Sequence, residues 1–186
     1  SIIFQLYANI STPKWGPGNS NIFLSNKVPP YFNSGYKWSI KENISYEHLY
    51  GSLVSMLEDT LYNNLYTSPN RFAQIKRNIV SHRLIINYNE FFSITFYEML
   101  IYGGNRSLET YYLLPLIPFL PIQTSLGDID NDMIGFSIEY NPFKNINVYC
   151  ALGIDEWSPS YTFRKEHKNW FIYQFGFDVD KLFMQY

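Results

Sequence analysis

The run Gly127-Asp128-Ile129-Asp130-Asn131-Asp132 comes nearest to metal chemistry. Asp128, Asp130 and Asp132 have the alternate-residue spacing of an EF-hand calcium loop, and Glu139 falls at its twelfth position. The sixth position is Met133, where the sharp turn of that loop needs glycine, and the second half reads as a strand. The run is therefore read as an acidic loop end with at most opportunistic divalent binding. His48, His82 and His167 are the only histidines, with no H-x-x-x-H spacing and no nearby cysteine, which argues against a zinc site. There is no G-x-S-x-G, and no spacing of Ser, His and Asp suggests a triad. The expectation is a non-catalytic chain without a cofactor.

The stretch 157–170 is more suggestive, with Trp157, Tyr161, Phe163, Arg164, Lys165, His167, Lys168 and Trp170. Aromatic faces beside cations suit sugar rings that bear carboxylates. The alternative is an aromatic membrane girdle whose cations meet lipopolysaccharide phosphate. A Gly/Pro cluster, Lys14-Trp15-Gly16-Pro17-Gly18, offers another loop tryptophan. The candidate carbohydrate contacts are Trp15, Trp157, Tyr161, Arg164 and Lys165.

The elements that must position these residues read as strands. In 131–141, Asp132, Ile134, Phe136, Ile138 and Tyr140 share one parity, and Met133, Gly135, Ser137, Glu139 and Asn141 the other. In 145–156 the parities are again apolar (Ile146, Val148, Cys150, Leu152, Ile154) and small or polar (Asn147, Tyr149, Ala151, Gly153, Asp155). Such two-residue periodicity marks strands with one apolar face. A soluble sandwich could carry it, and a transmembrane β-barrel requires it. Candidate strands are 2–9, 34–42, 46–57, 78–88, 91–102, 131–141, 145–156 and 168–177, with a partial one at 181–186. Connections alternate between short (43–45, 89–90, 142–144, 178–180) and long (10–33, 58–77, 103–130, 158–167). Short periplasmic turns and long extracellular loops are the outer-membrane pattern. The fold expected is all-β: an antiparallel up-and-down transmembrane barrel, closing as eight strands or forming an open arc of a larger barrel, with the arc preferred. An aqueous channel of porin type is the alternative function.

Polar residues inside these strands test the reading. Arg83 shares parity with Ser81 and Asn87, and is expected in the lumen, paired with Glu98 or Glu139 or serving a ligand. Glu98 shares parity with Phe92, Ile94, Phe96 and Leu100, where a lipid-facing carboxylate would be costly. Either a bulge near Tyr97 turns it inward, or it lies at the outer rim. Arg83, Glu98 and Glu139 are the expected lumenal polar residues. The segment Tyr111–Ile122 has prolines every three residues and is too short to span a bilayer. A short helix capped by Ser107 and stopped by Pro115 is expected, with the loop folding over or into the barrel mouth, or forming a patch for lipid or a partner.

Composition agrees. The 186 residues include 17 Tyr and 15 Phe, and only 16% are charged, against roughly 25% in a typical soluble domain. Mean hydropathy is −0.19 and no run of eighteen apolar residues occurs, which excludes helical spans. A net charge of −2 gives no footprint for nucleic acid. Cys150 is the single cysteine, so no internal disulfide forms. The sequence starts at Ser1 without Met or a charged leading segment, so a removed signal peptide or a fragment is expected.

The order of motifs resembles that of the capsule assembly Wzi family, in its divergent Bacteroidetes-like branch. It begins with Lys14-Trp15-Gly16-Pro17-Gly18, Phe23-Leu24-Ser25-Asn26, Pro29-Pro30 and Tyr50-Gly51-Ser52-Leu53. Ser81-His82-Arg83-Leu84, Tyr97-Glu98 and Ile101-Tyr102-Gly103-Gly104 follow, then Tyr111-Tyr112-Leu113-Leu114-Pro115 and Gly127-Asp128-Ile129-Asp130-Asn131. The resemblance implies one outer-membrane barrel domain over 1–186, incomplete at both ends. It further implies a lectin-like role on capsular or extracellular polysaccharide, among outer-membrane lipid and lipopolysaccharide.

Overall fold

A computed structural model describes residues 3–59, 73–103, 106, 108–127, 129–156, 164 and 169–179. Eight strands form one antiparallel sheet in chain order: β1 (Ile3–Ser11), β2 (Tyr31–Lys41), β3 (Ile44–Glu58), β4 (Gln74–Asn87), β5 (Phe92–Gly103), β6 (Asn131–Phe143), β7 (Ile146–Glu156) and β8 (Trp170–Val179). The eight expected full strands are all present, with ends moved by a few residues; the partial one at 181–186 lies outside the described residues. No ladder joins β8 to β1 among the described residues. Nor is there a second sheet among them, as a sandwich would need. Tight connections lie at one end of the sheet and long ones at the other. The β4–β5 turn closes as its sequence suggests, with Asn89 Oδ1 accepting the N–H groups of Phe91 and Phe92 at 2.9 and 2.8 Å.

Alternation gives the sheet two unlike faces. One row across the first face is Gln5, Lys37, Glu47, Arg83, Tyr97, Gly135 and Gly153. The corresponding row on the second is Leu6, Tyr36, His48, His82, Glu98, Ile134, Ile154 and Phe171. We call these the small-residue face and the aromatic face.

Each face carries one long connection. Residues 12–30 cross the small-residue face from β1 to β8. Trp15 and Leu24 form a β-bridge, their backbone bond 3.0 Å long. The Phe23 ring stacks on Tyr97 with centroids 3.9 Å apart, and a Cβ on Gly135 would lie 2.6 Å from that ring. Gly18 (φ 70°) lies against the Tyr149 hydroxyl, where both its left-handed backbone and its missing Cβ are required. At the far end Gln174 Nε2 donates to the carbonyls of Pro17 and Ser20. Trp15, Phe23, Leu24, Tyr31, Leu49, Ile79, Tyr97, Met99 and Ala151 form the core beneath.

The connection between β5 and β6 lies on the aromatic face instead, where Tyr112 and Phe119 are fully buried against Val80, Leu100 and Tyr102. Its inner side is anchored to the sheet, and its outer side exposes Leu114, Leu116, Ile117 and Leu120, an apolar patch of the kind the sequence allowed. The helix expected before Pro115 is one 3-10 turn (Thr110–Leu113), and Ser107 lies outside the described residues. An eight-residue helix, α1 (Phe119–Leu126), follows Pro118 and ends at Gly127 (φ 105°). Pro121 is compatible because it sits in the first turn, where no intrahelical N–H is needed. Among the described residues no helix is long and apolar enough to cross a membrane.

The stack of Phe23 on Tyr97 makes a prediction. Phe23→Ala should lower unfolding free energy by about 3–5 kcal/mol, as for other buried Phe truncations. Denaturant titration of the refolded protein measures it, and a loss below about 1 kcal/mol would mean the 12–30 segment is not part of the folded core.

Candidate functional site

The polar row of the small-residue face is built from opposite charges on adjacent strands. Glu47 is its hub. Its Oε1 meets Lys37 Nζ at 3.2 Å, and its Oε2 accepts from Arg83 Nε at 2.9 Å and Nη2 at 2.6 Å. The Arg83 guanidinium lies 4.7 Å from the centre of the Trp15 ring. Such stacking suits a guanidinium held away from water. Beside this chain of contacts is an open cleft of about 660 Å³. Its wall runs along β1 and β2 through Gln5, Tyr7, Asn9, Ser11 and Asn33 to Pro13, Lys14 and Trp15, with Lys37, Glu47, Leu49 and Arg83 on the other side. Its volume falls within the range of about 300–1,000 Å³ common to small-molecule sites.

The expected contact residues are only partly brought together. Trp15 lines the cleft but is 4% exposed, with Arg83 over its ring, so it is a wall and not a free stacking platform. Arg164 is exposed. Trp157, Tyr161 and Lys165 lie outside the described residues. Arg83 is on the small-residue face as expected, but its carboxylate partner is Glu47, neither Glu98 nor Glu139. Glu139 shares that face and accepts from Asn147 Nδ2 at 3.1 Å.

Glu98 stands apart from both on the aromatic face. No bulge interrupts its ladders, and it occupies the middle of β5 and not the rim. Its charge is met by the segment laid over it. Oε1 accepts the N–H groups of Phe119 and Leu120 at 2.8 and 3.2 Å, the first two amides of α1. Pro118 at the N-cap and Pro121 at the third position have no N–H, so one carboxylate oxygen satisfies both free donors of the first turn. Oε2 lies 2.7 Å from His82 Nε2. His82 packs 4.4 Å from the Phe119 ring, and its cross-strand neighbour His48 bonds the Tyr112 carbonyl at 2.9 Å through Nε2. The Tyr46 hydroxyl accepts the Leu116 N–H at 3.2 Å.

A carboxylate on an imidazole is the orienting half of a catalytic triad. Ser81, adjacent in sequence, is on the other face, and no cluster of three or more metal-ligating side chains occurs among the described residues. The cluster is an anchor for the covering segment. The acidic run seen in the sequence serves it too. Asp130 is an ion-pair partner of Arg106 and accepts from the Tyr112 hydroxyl at 2.7 Å, and its carbonyl accepts from Gln123 Nε2 at 2.5 Å. Its carboxylate is thus engaged by protein donors, and Asp132 is the second residue of β6. Asp128 lies outside the described residues.

Lys37, Glu47 and the polar β1 side chains were not singled out in the sequence. The His82–Glu98 pair had a usable signal, since counting back from the Asn87–Ser93 pair that closes the hairpin sets them opposite. Lys37 and Glu47 had a misleading one. The pairing of Lys41 with Ile44 would set Lys37 opposite His48, but an irregularity between Ser39 and Lys41 moves it to Glu47.

Removing the anchor should release α1. Glu98→Ala is expected to cost about 2–4 kcal/mol through the lost helix cap and the lost hydrogen bond to His82. Glu98→Gln, which keeps an acceptor for the two amides, should cost less. Hydrogen exchange at the Phe119 and Leu120 amides should rise in the alanine variant; unchanged protection would sink the anchoring role. Comparisons with protein-family models, with curated proteins and with solved structures find no match.

Proposed function

We propose that this chain is the membrane-spanning sheet of a bacterial outer-membrane protein of the capsule assembly Wzi kind, and that it holds surface polysaccharide without catalysing a reaction. The observation that carries the membrane part is the apolar surface of the aromatic face. Phe4, Leu6, Ile10, Phe96, Tyr173, Phe175 and Phe177 are all exposed there. A water-soluble sheet would bury such a face under a second layer. Where the face turns polar, at His48, His82 and Glu98, the covering segment exposes Leu114, Leu116, Ile117 and Leu120 in their stead. Tight turns at one end and long connections at the other fit the same reading.

The polysaccharide part rests on the order of motifs and on the polar cleft of the opposite face. Glycan would reach the cleft from the long-loop end, at Pro13 and Lys14. Lipid and lipopolysaccharide would border the aromatic face. A passive channel fits less well, because residues 12–30 lie across the face that would line it.

Phe175→Arg separates membrane from water. Phe175 is 78% exposed, so in water the change should stay within about 0.5 kcal/mol. In a bilayer the same arginine should cost about 2–4 kcal/mol near the midplane. Unfolding from liposomes measures it, and a neutral result there would reject the membrane reading. For the polysaccharide role, deleting the gene should strip surface polysaccharide from the cell, and re-expression should restore it; unaltered retention would count against that role.

A further inference from the structure

We propose that the cleft between β1, β2 and the 12–30 segment binds an acidic sugar residue, one whose ring carries a carboxylate. The inference rests on the polysaccharide reading and names the class of glycan. Three cations, Lys14, Lys37 and Arg83, line the cleft against one carboxylate, Glu47. Arg83 is consumed internally, held by Glu47 on one side and by the Trp15 ring on the other. Lys37 shares Glu47 but its side chain is 52% exposed, which leaves donor capacity turned outward. Lys14 has no acidic partner among the described residues. The cleft therefore carries an excess of positive charge beside groups that suit hydroxyls, Gln5 and Asn9 among them.

Those features select among ligands. A neutral sugar would leave the charge excess unmatched. A bare inorganic anion would use the lysines but leave the Gln5 and Asn9 wall of the 660 Å³ cleft without a partner. A ring bearing both hydroxyls and a carboxylate uses both walls. Glu47 stays behind Lys37 and fixes that ammonium in place through the 3.2 Å contact, so part of the ordering cost is met before the ligand arrives.

The test is calorimetric titration of the folded chain in detergent with tri-galacturonate and with maltotriose. The acidic trisaccharide should bind at least about tenfold tighter, the scale of one or two charge-assisted hydrogen bonds. The double variant Lys14→Gln, Lys37→Gln should abolish that preference. It should keep its fold, since Lys14 and Lys37 are solvent-facing and the buried Glu47 keeps its two contacts from Arg83, and circular dichroism checks this. Lys144→Gln, at the tight turn opposite, should keep the preference. Equal affinity for the two sugars, or a preference that survives the double variant, would overturn the proposal. If the lysine-dependent preference holds but gene deletion leaves surface polysaccharide in place, the site stands and the polysaccharide-holding role falls. Loss of surface polysaccharide on deletion, with no lysine-dependent preference in vitro, overturns the site alone.

Discussion

Glu98 sits mid-strand in β5, in a row that runs Tyr36, His48, His82, Glu98, Ile134, Ile154 and Phe171 across the face. Its ladders to β4 and β6 run without interruption, so its parity cannot change unless the register of both neighbours breaks. A carboxylate so placed and covered would cost several kcal/mol if unpaired. The protein resolves this with two donors of different kinds, the N-terminal amides of α1 and the imidazole of His82. The position of the described part of the β5–β6 connection, 108–127, follows. Phe119 is buried because its own N–H must reach Glu98, Tyr112 is drawn in by His48, and Asp130 closes the other end through Arg106 and Tyr112.

The small-residue face solves a different problem by a different means. Its central row starts with long charged side chains on β2 to β4 and ends with glycine on β6 and β7. The 12–30 segment can approach closely over the glycine half, where Phe23 occupies the space a side chain on Gly135 would fill. Over the charged half it stands off, with the Trp15–Arg83 stack as the boundary. The cleft is what remains between the segment and the row Gln5, Lys37, Glu47. Close packing at one end of the row thus produces an open polar site at the other.

The two faces together make the proposed role coherent. One face exposes aromatic and aliphatic side chains even where its backbone row carries histidine and glutamate. The other keeps charges, amides and hydroxyls in an open cleft. The segments that divide the work are both long connections from the same end of the sheet, and they go to opposite faces because the residues awaiting them differ: glycine and Tyr97 for Phe23, a carboxylate and two histidines for the 109–126 stretch.

Alternation along the chain and the turn residues between determined the eight strands, their antiparallel order and the side of the sheet on which each long connection emerges. Those properties are local, fixed by two-residue periodicity and by residues such as Asn89. The sequence also placed Arg83 and Glu139 on the small-residue face, but Glu98, expected there with them, lies on the aromatic face because no bulge turns it. It did not reveal what meets Glu98, because a helix beginning between Pro118 and Pro121 contradicts the local propensity of a proline-rich run and is held by a contact some twenty residues distant. Nor did it reveal the partner of Arg83, because β3 and β4 are joined by a long connection, so counting from a tight turn could not set their register. The Lys37–Glu47 pairing depends on one irregularity near Ser39 that inverts the expectation from the turn. Trp15 reads as a loop aromatic in the sequence, and only the folding of 12–30 across the sheet makes it a buried wall. Strand formation is a property of neighbours in sequence; which loop covers which face is settled by charge and volume on strands far apart in the chain.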